Sequence, residues 1–116
     1  MNRIACAAAG CALLASSAVF AQDIMQFGLP QLKVAAEDAK VRVLHYTPKQ
    51  GDKTPMHSHL SSVVYVIKGG RIRYTMPDGS VKVATLKTGE TLLRPPVTHA
   101  DEALDAVEVI IMELKQ

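Results

Sequence analysis

From residue 40 onward the chain repeats one pattern: a short alternating or β-branched segment, then a turn marked by proline or glycine, at spacings of about eight to twelve residues. Lys40 to Tyr46 alternates polar and apolar side chains, Val63 to Ile67 is β-branched and aromatic, and Arg71 to Met76, Val81 to Leu86 and Thr91 to Arg94 follow. No segment carries a convincing helical period. The pattern predicts an all-β domain, an antiparallel sandwich or barrel of about eight to ten strands.

Turn chemistry refines that expectation. Gly69-Gly70 predicts a tight turn that makes Val63–Ile67 and Arg71–Met76 a hairpin. Met76-Pro77-Asp78-Gly79-Ser80 predicts a second turn, since proline presets its own φ and glycine accepts a positive one. Lys87 to Glu90 turns the chain again, and Pro95-Pro96 ends the strand before it. Ala106 to Leu114 is nearly continuous in apolar residues, which predicts burial on both faces. Gln22 to Leu29 has no strong period and precedes Pro30, so an extended arm is expected there.

Residues 1–21 read as a secretory leader: Arg3 supplies the positive start, Ile4 to Leu14 the apolar stretch, and Val19-Phe20-Ala21 the small-residue cleavage pattern. The apolar run is too short to span a membrane. A periplasmic or secreted location is the expectation. Cys6 and Cys11 both lie inside this leader, so a chain cut after Ala21 has no disulfide and no thiolate ligand. Any metal must then be held by nitrogen and oxygen donors. Residues 22–116 suffice for one small domain, with 22–30 as the arm and 31–116 as its body, and a domain of that size gains stability by pairing with a second copy. Without Arg3 the charge is 12 basic against 11 acidic residues, with no basic run and four aromatic rings (Phe27, Tyr46, Tyr65, Tyr74), which excludes a nucleic-acid partner.

The chemistry lies in the histidines. His57 and His59 stand at i and i+2, a spacing that projects both imidazoles from one face of a strand. His99, forty residues after His59, would complete a facial set from a distant strand. One neutral nitrogen from each at about 2.0–2.1 Å leaves at least one position for water or substrate. Three imidazoles without a carboxylate suit a divalent transition metal, zinc, iron, copper or nickel, and their extra positive charge favours an anionic ligand. The competing reading is three strand or loop histidines that hydrogen-bond locally.

Spacing around these histidines resembles the cupin superfamily, the RmlC-like jelly rolls. The first motif of that family is a glycine, five residues, His-x-His, three or four residues, a glutamate, six residues and a glycine; Gly51, His57, His59 and Gly70 fall at those spacings. Val63, or Val64 in the longer variant, stands where the glutamate is expected, so one usual metal ligand is missing. The second motif is matched by Gly89, Pro95 and His99, the histidine one residue early and the usual glycine between proline and histidine absent. The resemblance implies a double-stranded β-helix jelly-roll barrel, with both motifs meeting in its mouth. It also implies a homodimer that exchanges an N-terminal strand, for which Gln22 to Leu29 is the candidate.

Further residues are candidates for a ligand pocket. His45 is one, against a surface role on its strand; Tyr65 and Tyr74 are others, through their hydroxyls, against plain core packing. Asp101 or Glu102, just after His99, could supply the carboxylate missing from the metal set, and only one of the two can face inward. Glu102 is taken as the pocket candidate. Met56, Met76 and Met112 read as core filler, and Arg71, Arg73 and Lys82 as a solvated basic face. Three functions fit: an exported binding module holding a divalent metal and a small molecule, a metal-dependent enzyme of dioxygenase, lyase or isomerase type, and a metal-free ligand-binding or structural dimer. Metal content and turnover separate them.

Overall fold

A computed structural model describes residues 22–115 of the chain. The leader assigned to residues 1–21 lies outside the described residues. Ten strands run in order: β1 (Gln22–Asp23), β2 (Leu32–Glu37), β3 (Val41–Tyr46), β4 (Lys53–His59), β5 (Ser62–Lys68), β6 (Gly70–Thr75), β7 (Val81–Leu86), β8 (Thr91–Arg94), β9 (Val97–Ala103) and β10 (Glu108–Leu114). A 3-10 turn, Ile24–Phe27, follows β1. Two five-stranded sheets result, β1-β4-β9-β6-β7 and β2-β3-β10-β5-β8. All pairings are antiparallel except that of β1 with β4. This is a two-sheet barrel of the kind the strand spacing predicts, and the jelly roll that the resemblance implies.

Strand parity decides what enters the barrel. On β3, Leu44 and Tyr46 are buried; on β5, Val64 and Val66; on β10, Val109. These pack with Ile24, Leu32, Ile72, Leu86 and Val107 as one core between the sheets. The alternate residues on the second sheet face outward, and Tyr65, Ile67 and Leu93 are exposed there. β10 is therefore not buried on both faces. Its inner face is in the core, whereas Ile110 and Met112 on its outer face are half-buried.

Two further expectations change. β5 and β6 are not a hairpin: β5 pairs with β10 and β8, while β6 pairs with β7 and β9. Gly69 is the corner at which the chain leaves one sheet for the other. The hairpin lies one turn later, between β6 and β7, where Gly79 holds φ at 89° and its amide donates to the Met76 carbonyl at 2.9 Å. The arm at the start is also not free. Gln22 and Asp23 pair with His57 and Ser58 of the same chain, and Ile24, only 2% exposed, plugs the core.

One irregularity positions the site. Thr54 opposes Asp101 and His57 opposes His99, so Pro55 and Met56 together face the single residue Ala100. This is a β-bulge, and proline suits it because a bulged residue needs no ladder N–H. In a regular strand without a bulge, Thr54 and His57, three residues apart, would point to opposite faces. With it both point inward, at 1% and 0% exposure.

Candidate metal centre and the barrel mouth

β4 and β9 bring the three motif histidines together. His57 and His99 are direct cross-strand partners, and His59 lies two residues along the same face. Ring centroids are 4.7 Å apart for His57 and His59, 4.8 Å for His57 and His99, and 5.6 Å for His59 and His99. One nitrogen from each ring lies within 4.8 Å of the other two.

Hydrogen bonding fixes which nitrogens face inward. His57 Nδ1 is 2.7 Å from the Pro55 carbonyl oxygen, which only accepts, so Nδ1 carries the proton and Nε2 presents a lone pair. His59 Nδ1 is 2.6 Å from a carboxylate oxygen of Glu113, with the same consequence. The two Nε2 atoms then lie 3.0 Å apart. Two lone pairs at that separation need a cation between them, either a proton or a metal ion. Nitrogens bound tetrahedrally to one ion at 2.0–2.1 Å would be about 3.3 Å apart, close to the spacing present. The donor set therefore fits a divalent metal.

Behind the histidines stands a carboxylate that enters from an unexpected strand. Val64 of β5 faces the cavity where the motif glutamate would project. Glu113 of β10, 2% exposed, instead grips the rear of His59 and accepts from Arg42 Nε at 2.8 Å. Arg42 also donates to Asp23 at 3.1 Å, tying the arm to the site. Burial alone would raise the Glu113 carboxyl, but its bonds from His59 and Arg42 outweigh that and hold it below the usual range. A carboxylate on the second nitrogen of a ligand imidazole fixes its tautomer and raises its basicity. Glu113 and Arg42 escaped the sequence reading. The signal was there: both share parity with core residues, Ile111 on β10 and Leu44 on β3, yet are charged.

The pocket candidates divide. Tyr74 is inside, its ring stacked on His99 at 4.8 Å and 28°. His45, Tyr65 and Glu102 are not. His45 has the outward parity of β3 and pairs with Glu108 at 2.6 Å. Tyr65 is 42% exposed on the outer face of β5. Glu102 faces outward and accepts from Arg73 at 2.7 Å. Asp101, two residues from His99, is the one that turns inward, accepting from the Tyr46 hydroxyl at 2.9 Å. Burial raises its pKa, partly offset by that bond. Lys82 also leaves its assigned face. It pairs with Tyr74, which faces inward, whereas Arg71 and Arg73 point outward against Asp105 and Glu102.

His57 and His99 are held neutral by burial, which lowers their pKa values to about 4 and about 3; for His99 the neighbouring histidines and Arg94 add to the effect. Below an unfolded-state value of 6.5 the unfolded chain then binds protons that the folded chain refuses, so stability falls as pH falls. With a chelator present, urea unfolding should show a loss of about 2 kcal/mol between pH 6.5 and 5.5. A flat profile over that interval would refute the burial of both rings as neutral species.

The fold and the histidine cluster define a cupin-fold barrel. Comparison with solved structures agrees: a cupin domain from Bordetella pertussis aligns with a TM-score of 0.67 at 22% identity, over 73% of this chain and 92% of that one. A cupin-2 domain protein from Shewanella frigidimarina gives 0.53 at 20% identity, over 89% and 92%. An RmlC-like cupin family protein with a double-stranded β-helix fold, from Methanocaldococcus jannaschii, gives 0.57 at 18%, over 72% and 77%. No family model and no curated protein matches the chain. Among the described residues, no helix is long and apolar enough to cross a membrane.

Proposed function

We propose that this chain is an exported cupin-family module that holds one divalent transition metal ion on His57, His59 and His99 and takes a small molecule in the barrel beside it. The observation that carries the reading is the pair of Nε2 lone pairs 3.0 Å apart, each fixed by an acceptor on the opposite side of its ring. A divalent ion in such a set supplies Lewis acidity. Pro55 and Glu113 hold the imidazoles in the ligating tautomer, and the apolar wall at Val64 limits water. Zinc, iron, copper and nickel all suit the donors.

A second reading, a metal-dependent enzyme, is favoured by Asp101. This is a buried carboxylate lining the same inner cavity as His59 and His99. It is suited to carry a proton for a bound substrate.

Elemental analysis of protein purified without tag or chelator, and again after exposure to zinc, copper, nickel and ferrous iron, tests the metal. About one equivalent of one ion is expected, and none in a His57→Ala/His59→Ala variant that retains its β circular dichroism. No uptake by the parent protein under any condition would sink the reading. Export is tested in the same preparation by the mature N-terminus, expected at Gln22.

A further inference from the structure

Arg94 at the end of β8 is a cation with no carboxylate. Its guanidinium carbon lies 5.6 Å from the centre of the Tyr74 ring, and its two terminal nitrogens donate only weakly to the Tyr74 hydroxyl, at 3.4 and 3.5 Å. Tyr74 stacks on His99, so Arg94, Tyr74 and His99 stand in sequence from the barrel mouth to the histidine cluster. Among the described residues, no acidic group lies within ion-pair distance of Arg94 or of Lys82. The other arginines among the described residues are paired: Arg42, Arg71 and Arg73 each have a carboxylate.

Both unpaired cations line one cavity of about 360 Å³, which opens between β6, β7, β8 and β9 and reaches His99. Glu90 is the only carboxylate in its wall, and it accepts from the Lys87 amide at 3.0 Å. The rest of the wall is largely apolar, with Leu86, Leu92 and Val97. Arg94, Tyr74 and His99 also line the inner space of about 40 Å³ that His59 faces, so the two compartments share these residues as a partition. A cavity of this volume is in the range that holds a small organic molecule. A planar guanidinium held beside an aromatic ring by long, weak contacts and facing no carboxylate is suited to a bidentate carboxylate.

We propose that the mouth binds a small monocarboxylate with an apolar body, its carboxylate on Arg94 and Lys82 and its body against Leu86, Leu92 and Val97. The proposal deepens the reading of the barrel as a small-molecule pocket and rests on it, but not on the metal. Arg94 sets specificity for the acid, and Tyr74 positions it. An inorganic anion could satisfy the same cations, but it would leave the apolar wall unused.

The test is binding of butyrate, hexanoate, octanoate and benzoate by calorimetry, against hexanamide, benzamide and inorganic phosphate, with chelator-treated and zinc-loaded protein in parallel. Saturable binding of at least one carboxylate is expected in both preparations, with its amide weaker by about tenfold or more, as for loss of a charged hydrogen-bond partner. Aromatic NMR should show the Tyr74 ring signals moving with the titration. Arg94→Gln should weaken the carboxylate by about tenfold, Lys82→Gln by less, and Arg71→Gln on the outer face not at all. Equal binding of acid and amide, an unchanged affinity in folded R94Q protein, binding of phosphate alone, or no saturable carboxylate at all would each overturn the proposal. Zinc uptake measured alongside reports on the metal separately, so either reading can fail while the other stands.

Discussion

Replacing Glu113 with alanine is expected to destabilise the protein by about 3 kcal/mol and to weaken divalent-metal binding by about ten- to a hundredfold. Both carboxylate oxygens are engaged and the residue is 2% exposed, so its removal leaves two orphans. Arg42, whose side chain is only 16% exposed, keeps Asp23 alone. His59 loses the acceptor that fixes its Nδ1 proton and is free to present the wrong nitrogen. For a domain of this size the stability loss corresponds to a fall in Tm of roughly 12 °C or more. Glu113→Gln separates the effects, because it keeps the volume and one acceptor. The fold should survive while zinc affinity drops. Urea unfolding and zinc calorimetry on the two variants make the check; full metal affinity in the alanine variant would refute the role given to Glu113.

Gly69→Ala should be nearly as damaging, at about 3 kcal/mol, although it adds one methyl group at a half-buried surface corner. That methyl carbon would sit 2.2 Å from the Leu86 carbonyl oxygen and 2.8 Å from the Thr88 amide nitrogen. Both are backbone atoms at the end of β7, so no rotamer change relieves the clash. The Gly69 amide also donates to Thr88 Oγ1 at 2.9 Å, which pins the two segments together. Gly79→Ala is the comparison. Its Cβ meets nothing within 4 Å, and only the positive φ opposes it, for an expected loss of about 1 kcal/mol. Urea midpoints that rank the two in the opposite order would show that the corner yields.

Much of this was legible in the chain. Short β-branched segments between turn residues specify a barrel, because each of those local preferences agrees with the global fold. The i, i+2 histidines need only strand geometry to share a face. What escaped was parity and partnership. Glu102, Lys82 and His45 were each one register step from an inward or outward fate, and a single step reverses the assignment. Asp101 faces in and Glu102 out because His99 faces in, but nothing local says which phase His99 takes. The hairpin expected at Gly69-Gly70 failed for a related reason: a glycine turn fixes how the chain bends, not which sheet the next strand joins. Glu113 was hidden by its company, one of two acids, with Glu108, in a strand otherwise read as apolar. Its partners, His59 and Arg42, are distant in sequence.

The strand that carries the bulge at Pro55 and Met56 gives the site a dependence on length as well as on composition. Side chains around the histidines can be exchanged one by one, tuning affinity or the ligand the mouth accepts. The effect of losing a residue depends on where it falls: between Thr54 and His57 it would erase the bulge and leave both side chains inward at regular i, i+2 spacing, whereas loss of Ser58 would make His57 and His59 neighbours, which a strand sends to opposite faces although every candidate ligand is still encoded. Two chains with identical histidines but unequal spacing between them would differ in whether the three imidazoles share one face.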